Sequence, residues 1–202
     1  MKNSIQQIAL FILLLNLVSC NNSEIKVEEV VKVDRDYFTE LFEEEFEPLN
    51  LTSFEIKAEI QIPNEFAPIQ SSIIPKVIHE PGDYKWTISS GSEFIIKIED
   101  WGNENILNEI GLSLSKGKTF FDITILDSTT NYISYRKKLI PNGLKNTSDN
   151  IGLDHSSYHC YRLVSIDSVN YIFSSDLDGV SKKVFDYLSL SIKSVRPLQN
   201  EI

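Results

Sequence analysis

The chain has 202 residues, with 42% hydrophobic, 24% charged and 10% aromatic content, the balance of a globular protein and not of a disordered or collagenous one. About 100 to 200 residues make one domain, so a single folded unit is expected. Nineteen Lys and Arg against 29 Asp and Glu give a net charge of -10, which leaves no basic surface to neutralise phosphates and argues against nucleic-acid binding.

Lys2 supplies a short positive region, and the run from Ile8 to Val18 is the apolar segment of a secretory signal. It is too short to span a bilayer, which takes roughly 20 apolar residues. The run ends in Leu17-Val18-Ser19-Cys20, which resembles the lipobox of bacterial lipoproteins: an aliphatic residue, a small or β-branched one, a small one, then Cys. The resemblance implies that residues 1–19 are a signal peptide removed after a diacylglyceryl group joins the Cys20 thiol, and that the new amino terminus is then acylated, palmitate being a typical chain. Cys20 is the one lipidation site, and the lipid is the membrane partner. Asn21 follows in place of the Asp that often marks inner-membrane retention, so the outer membrane is favoured. Asn21-Asn22-Ser23-Glu24 holds one acid where surface-export signals hold several, and the periplasmic and surface faces both stay open.

With Cys20 lipidated, Cys160 is left alone and an intramolecular disulfide is excluded. Period-2 reading puts Cys160 on the strand face of Val164 and Ile166, with His159 on the opposite face, the pattern of a buried thiol and not of a nucleophile beside its base.

Residues 20–33 read as the lipidated Cys and an acidic tether, and residues 34–202 as one domain. Acidity is concentrated near the anchor: residues 21–50 hold ten acids and three bases. From Asp34, the apolar positions Tyr37, Phe38, Leu41, Phe42 and Phe46 fall near helical spacing, with Glu40, Glu43, Glu44, Glu45 and Glu47 between them. This predicts an amphipathic helix ended by Pro48. The Glu run of 40–47 reads as a solvated face, with a cation or basic-partner site as the alternative.

Thr52 to Ile62 alternates, with Phe54, Ile56, Ala58, Ile60 and Ile62 on one face, and predicts a half-buried antiparallel strand. Pro63, Pro68, Pro75 and Pro81 punctuate a long connection. Trp86–Ser89 and Glu93–Ile98 read as strands around the turn Ser90-Gly91-Ser92. One or two helical turns are expected over Ile106–Leu114. Thr119–Leu126 and Tyr132–Ile140 form the next strand pair, and a polar loop, 141–157, precedes a last hairpin, Tyr158–Ile166 and Val169–Ser174, closed by Asp167-Ser168. Val180, Val184, Tyr187, Leu188, Ser191, Ile192 and Val195 then mark an amphipathic helix stopped by Pro197, with Asp176 and Asp178 ahead of it and Lys193 and Arg196 at its end.

The order implies an α+β fold: an antiparallel β-sheet meander covered by an N-terminal helix and a C-terminal amphipathic helix. The Phe54–Pro63 strand followed by Phe66, the central sheet, and the final helix ending in Ser191-Ile192-Lys193-Ser194 loosely resemble the layout of the PsbP/Mog1-like superfamily. By analogy that resemblance implies a binding or assembly role and transfers no site residue.

Chemical motifs fare poorly. Asp154-His155-Ser156 holds the residue types of a hydrolase triad, but consecutive residues cannot form the relay, and no Gly-x-Ser-x-Gly elbow is present. His155 and His159 would lie about 13 Å apart on a strand, and His79 is the only other imidazole, too few for zinc. Asp176-Leu177-Asp178-Gly179 matches the middle of a calcium loop, but Ser174 and Phe185 fall where its first and closing ligands belong, so acids capping the terminal helix are the better reading. Glu99 and Asp100, neighbours on a strand, face opposite ways.

No catalytic residue, metal site or cofactor is expected. The expectation is a membrane-anchored envelope lipoprotein, monomeric, that acts as a non-enzymatic binding or assembly module for an envelope protein or small ligand. The alternatives are an envelope hydrolase with residues scattered across the fold, or an immunity-type protein binding a basic partner.

Overall fold

A computed structural model of the chain describes residues 44–69, 71, 74–117, 121–140 and 156–198. Cys20, the tether and the expected helix over 34–43 lie outside them.

Strands β1 (Phe46–Asn50) and β2 (Ala58–Pro63) pair antiparallel, Phe46 opposite Pro63 and Asn50 opposite Glu59. The helix expected to run on to Pro48 is therefore corrected: Glu44 and Glu45 are helical, but Phe46–Asn50 is a strand. Its helix-like spacing of aromatics and acids gives way to pairing with β2, where Phe46 is buried and stacks on Tyr187 at 5.6 Å. Pro48 is tolerated because β1 is an edge strand. The single strand expected over Thr52–Ile62 is also divided. Thr52–Phe54 is a 3-10 turn, Glu55 takes φ +69°, and the backbone turns so that the Leu51 N–H donates to the Ala58 carbonyl at 2.9 Å. Only Ala58–Pro63 is extended, with Ala58, Ile60 and Ile62 buried as the alternation requires.

A seven-stranded antiparallel sheet follows: β3 (Lys76–Ile78), β4 (Lys85–Ser90), β5 (Phe94–Asp100), β6 (Phe121–Ser128), β7 (Tyr132–Leu139), β8 (Ser156–Ile166) and β9 (Val169–Ser174), in the spatial order β3-β4-β5-β9-β8-β7-β6. The sheet is not one meander. β9 lies between β5 and β8, so β5 and β6 are at a distance, and helix α1 (Leu107–Gly117) makes the crossing between them. The Asp167-Ser168 turn has φ +49° and +69°, the left-handed pair that matches the twist of a two-residue hairpin.

Helix α2 (Lys182–Ser194) is sandwiched between this sheet, chiefly β8 and β5, and strand β2 of the smaller sheet, which the short β10 (Arg196–Pro197) completes. Val184, Phe185, Leu188, Ser191 and Ile192 form its buried stripe, and all but Ser191 share one core cluster with Ile88, Ile96, Ile98 and Phe173 of the large sheet and Ile60 and Ile62 of β2. Ser181 caps α2, its hydroxyl accepting from the Val184 N–H at 3.4 Å, so the cap is not the expected acids Asp176 and Asp178. The α+β class holds, with α1 and α2 as full helices among the described residues. The sheet edges are short or broken. β3 has three residues, and β6 carries a bulge between Ile125 and Asp127 with Asp122 and Asp127 along it, features that discourage edge pairing.

Candidate functional site

The large sheet has two faces. Even positions of β7 and β8, such as Tyr132, Cys160 and Val164, look toward α2; odd positions, such as Tyr135, His159 and Tyr161, look outward. Helix α1 covers part of the outer face, and what it leaves open is a groove.

α1 starts where the Asn105 side-chain carbonyl accepts the Leu107 N–H at 3.1 Å. Its sequence, Leu-Asn-Glu-Ile-Gly-Leu-Ser-Leu, turns Leu107 inward, where it is buried, while Leu112 stays 65% exposed. Opposite stands the β6–β7 turn, fixed by the Thr129 N–H donating to the Tyr132 carbonyl and by the Thr129 hydroxyl bonded to Asn131. Between helix and turn lies a groove of about 520 Å³, walled by Leu107, Leu112 and Ile133 and rimmed by Asn108, Ser128 and Thr130. A Cβ on Gly111 would find no atom within 4 Å, so the absent side chain keeps this space open. Among the described residues no Asp, Glu, Lys or Arg lines the groove, although the chain is one-quarter charged. Its walls suit an aliphatic side chain, and its rim of hydroxyls and one amide suits the peptide groups beside it.

A second cluster occupies the outer face. The His159 ring is 2% exposed, stacked on Tyr135 at 4.7 Å, and Tyr135 stacks in turn on Tyr161 at 6.3 Å. Burial holds the phenol of Tyr135 strongly toward its neutral form. The Ser157 hydroxyl bonds His159 Nε2 at 2.9 Å. His159 Nδ1 is buried and has no hydrogen-bond partner among the described residues. Burial, with Lys137 adding to it and Asp178 opposing, lowers the imidazole to about 4, so it is neutral at pH 7. A serine and a neutral imidazole in contact are two parts of a hydrolytic relay, but nothing orients Nδ1, where such a relay places its acid.

The residues singled out in the sequence are dispersed. Cys160 is buried and its thiol is pushed up to about 12, chiefly by that burial, which makes it a poor nucleophile. Asp154 and His155 lie outside the described residues, and Ser156 sits opposite Lys138 on β7. His79 stacks on Trp86 at 4.4 Å and its Nδ1–H donates to the Lys85 carbonyl at 3.0 Å. Asp176 pairs with Lys97 at 3.0 Å, and that bond holds its carboxyl below the usual range. Glu99 pairs with Lys85, whereas Asp100 accepts the Gly102 N–H at 2.7 Å. Among the described residues no three His, Cys, Asp or Glu side chains come together as metal ligands, and no helix is long and apolar enough to cross a membrane.

The Ser157–His159 contact was within reach of sequence reading, since residues i and i+2 of a strand share a face. The groove was not, because its two walls come from segments brought together only by the tertiary fold. Compared with known protein families and with curated proteins, the chain matches none.

Proposed function

We propose that the protein is a lipid-anchored envelope lipoprotein that works by binding, taking an uncharged segment of an envelope protein partner into the groove between α1 and the β6–β7 turn. The observation that carries the reading is the uncharged lining that the described residues give that groove in a chain of net charge -10. A charged segment entering it would lose hydration with no opposite charge to meet, a cost of several kcal/mol that an aliphatic segment escapes. The lipobox run Leu17-Val18-Ser19-Cys20 supports the anchor. Binding in place of catalysis is supported by the buried thiol of Cys160 and by the imidazole of His159, whose Nδ1 has no acid. The layout resembling the PsbP/Mog1-like superfamily adds an analogy to a binding role.

A photo-crosslinking residue at Leu112, on the open wall, tests the reading against the same residue at Lys182, an exposed position on α2. In native envelopes a discrete adduct is expected from position 112, lost when Gly111→Trp fills the groove, and absent from position 182. Equal adducts from both positions, or an adduct at 112 indifferent to Gly111→Trp, reject the groove as the binding site.

A further inference from the structure

The chain between β9 and α2 does something the hairpin before it does not require. The Ser175 N–H donates to the Cys160 carbonyl at 3.0 Å, and Val180 and Tyr158 exchange both backbone bonds at 3.0 Å, so residues 175 and 180 lie against β8 like a continued strand. Between them, Asp176–Gly179 leaves the strand line. Asp176 reaches Lys97, an outer-face residue of β5, and Gly179 seats on the His159 ring: a Cβ there would fall 2.6 Å from Nε2 and 2.7 Å from Cε1. Gly179 also takes φ +77°, which L side chains rarely adopt. The four residues form a bulge folded over the imidazole, and they are part of the reason a histidine on the outer face is 2% exposed.

Under this cover the ring has room for only one protonation state. Neutral, it satisfies Nε2 through Ser157 and leaves Nδ1 unpaired. Protonated, both nitrogens carry N–H; Ser157 accepts one and the other has no acceptor. The charged groups around it divide. Lys137 of β7 repels a second cation, and Asp178 of the bulge attracts it; Lys97 of β5 and Asp176 of the bulge engage each other. Tyr135 and Tyr161 stay neutral.

We propose that residues 176–179 are an acid-released cover, which protonation of His159 lifts from the outer face to bare the aromatic row Tyr135–His159–Tyr161. The sign follows from linkage. The covered ring has its proton affinity depressed to about 4, chiefly by burial, and uncovering relieves that burial, so the affinity moves back toward the ordinary 6.5 and the open form binds protons that the closed form refuses. Closure is at full strength above pH 6.5 and weakens as pH falls toward 4, by a factor of up to about a hundred. The Lys97–Asp176 pair survives this range, because the carboxyl of Asp176 is held below its usual value. The bulge thus swings from an end that stays seated.

Hydrogen exchange of the mature chain reads the opening. The Val180 N–H, bonded to the Tyr158 carbonyl, should lose protection by tens of fold between pH 7 and 4.5, after correction for intrinsic exchange, while the core amide of Ile98 keeps its own. His159→Phe, which retains a ring to stack on Tyr135 but cannot charge, should remove the pH dependence. Gly179→Ala should leave Val180 weakly protected even at pH 7. Should His159→Phe fail to fold, the imidazole of the unaltered protein is followed by NMR. Titration near 6.5 overturns the proposal, as does equal Val180 protection at both pH values or an unchanged response in His159→Phe.

Discussion

The hydroxyls of Tyr132 on β7 and Ser189 on α2 lie 2.8 Å apart, a polar tie between the large sheet and the helix that packs on it. Tyr132 is buried, and burial raises its phenol well above the usual range, so the tie stays neutral and insensitive to ordinary alkaline pH. Tyr132→Phe keeps the ring and frees Ser189, which is half-buried and can turn to water. The expected loss is about 1 kcal/mol in a urea melt, the net value of one hydrogen bond. A loss above about 3 kcal/mol would mean that the hydroxyl does more than join these two elements.

Leu188 is fully buried on the α2 stripe, between the large sheet and β2. Leu188→Asp places a carboxylate there without a partner and should unfold the domain, since the cost of several kcal/mol rivals the 5 to 15 kcal/mol that typically hold a domain together. Lys193 reads from the sequence as an exposed last-turn residue off the buried stripe, and it pairs with Asp127 at 2.7 Å and lies 4.6 Å over the Tyr132 ring. Lys193→Asp should therefore cost about 1 kcal/mol, partly through repulsion from Asp127, and the loss should shrink in high salt. Equal urea midpoints for the two variants would contradict α2 as the element that closes the core.

Where residues repeat with the period of their own element, the fold is legible in the sequence. Ala58, Ile60 and Ile62 alternate into the core, and Val184, Leu188 and Ile192 recur at helical steps. The Asp167-Ser168 hairpin reads directly because two residues allow few turn geometries. Other elements have no such local mark. β3 is three residues inside a proline-rich connection, too short to show a period. Phe46 closes a run with the spacing of a helix, yet it begins the strand Phe46–Asn50 because β2 offers a ladder. The insertion of β9 between β5 and β8 depends on contacts about 75 residues apart in the chain, such as Ile98 opposite Phe173. The groove inherits that difficulty, since Gly111 matters only once the β6–β7 turn stands opposite it.

The guanidinium of Arg162 donates to the Ile192 carbonyl at 2.9 Å and to the Lys193 carbonyl. These are last-turn carbonyls of α2, which lack donors within the helix and carry the negative end of its dipole. Arg162→Leu should cost about 2 to 3 kcal/mol by stripping both carbonyls of their donor. Arg162→Lys should recover only part of it, because an ammonium cannot present two donors in a fixed fork. Thermal melts of the two variants decide: no loss in Arg162→Leu would show that water serves these carbonyls equally well.

The anchor is tested at one atom. Acylation of Cys20 needs its thiol, so Cys20→Ala should accumulate as full-length precursor that retains residues 1–19 and takes up no labelled palmitate. The physical consequence is separable from the chemistry. A single myristoyl-length chain holds a protein at a membrane only marginally, whereas each further buried methylene adds about 0.8 kcal/mol, so two or three chains on residue 20 make release negligible. The mature protein should stay with membranes through high salt and alkaline carbonate, treatments that strip proteins held by charge or by the groove. Palmitate labelling that persists in Cys20→Ala, or mature protein that washes off in carbonate, would overturn the lipid anchor and leave the groove to be tested as the binding site of a secreted protein.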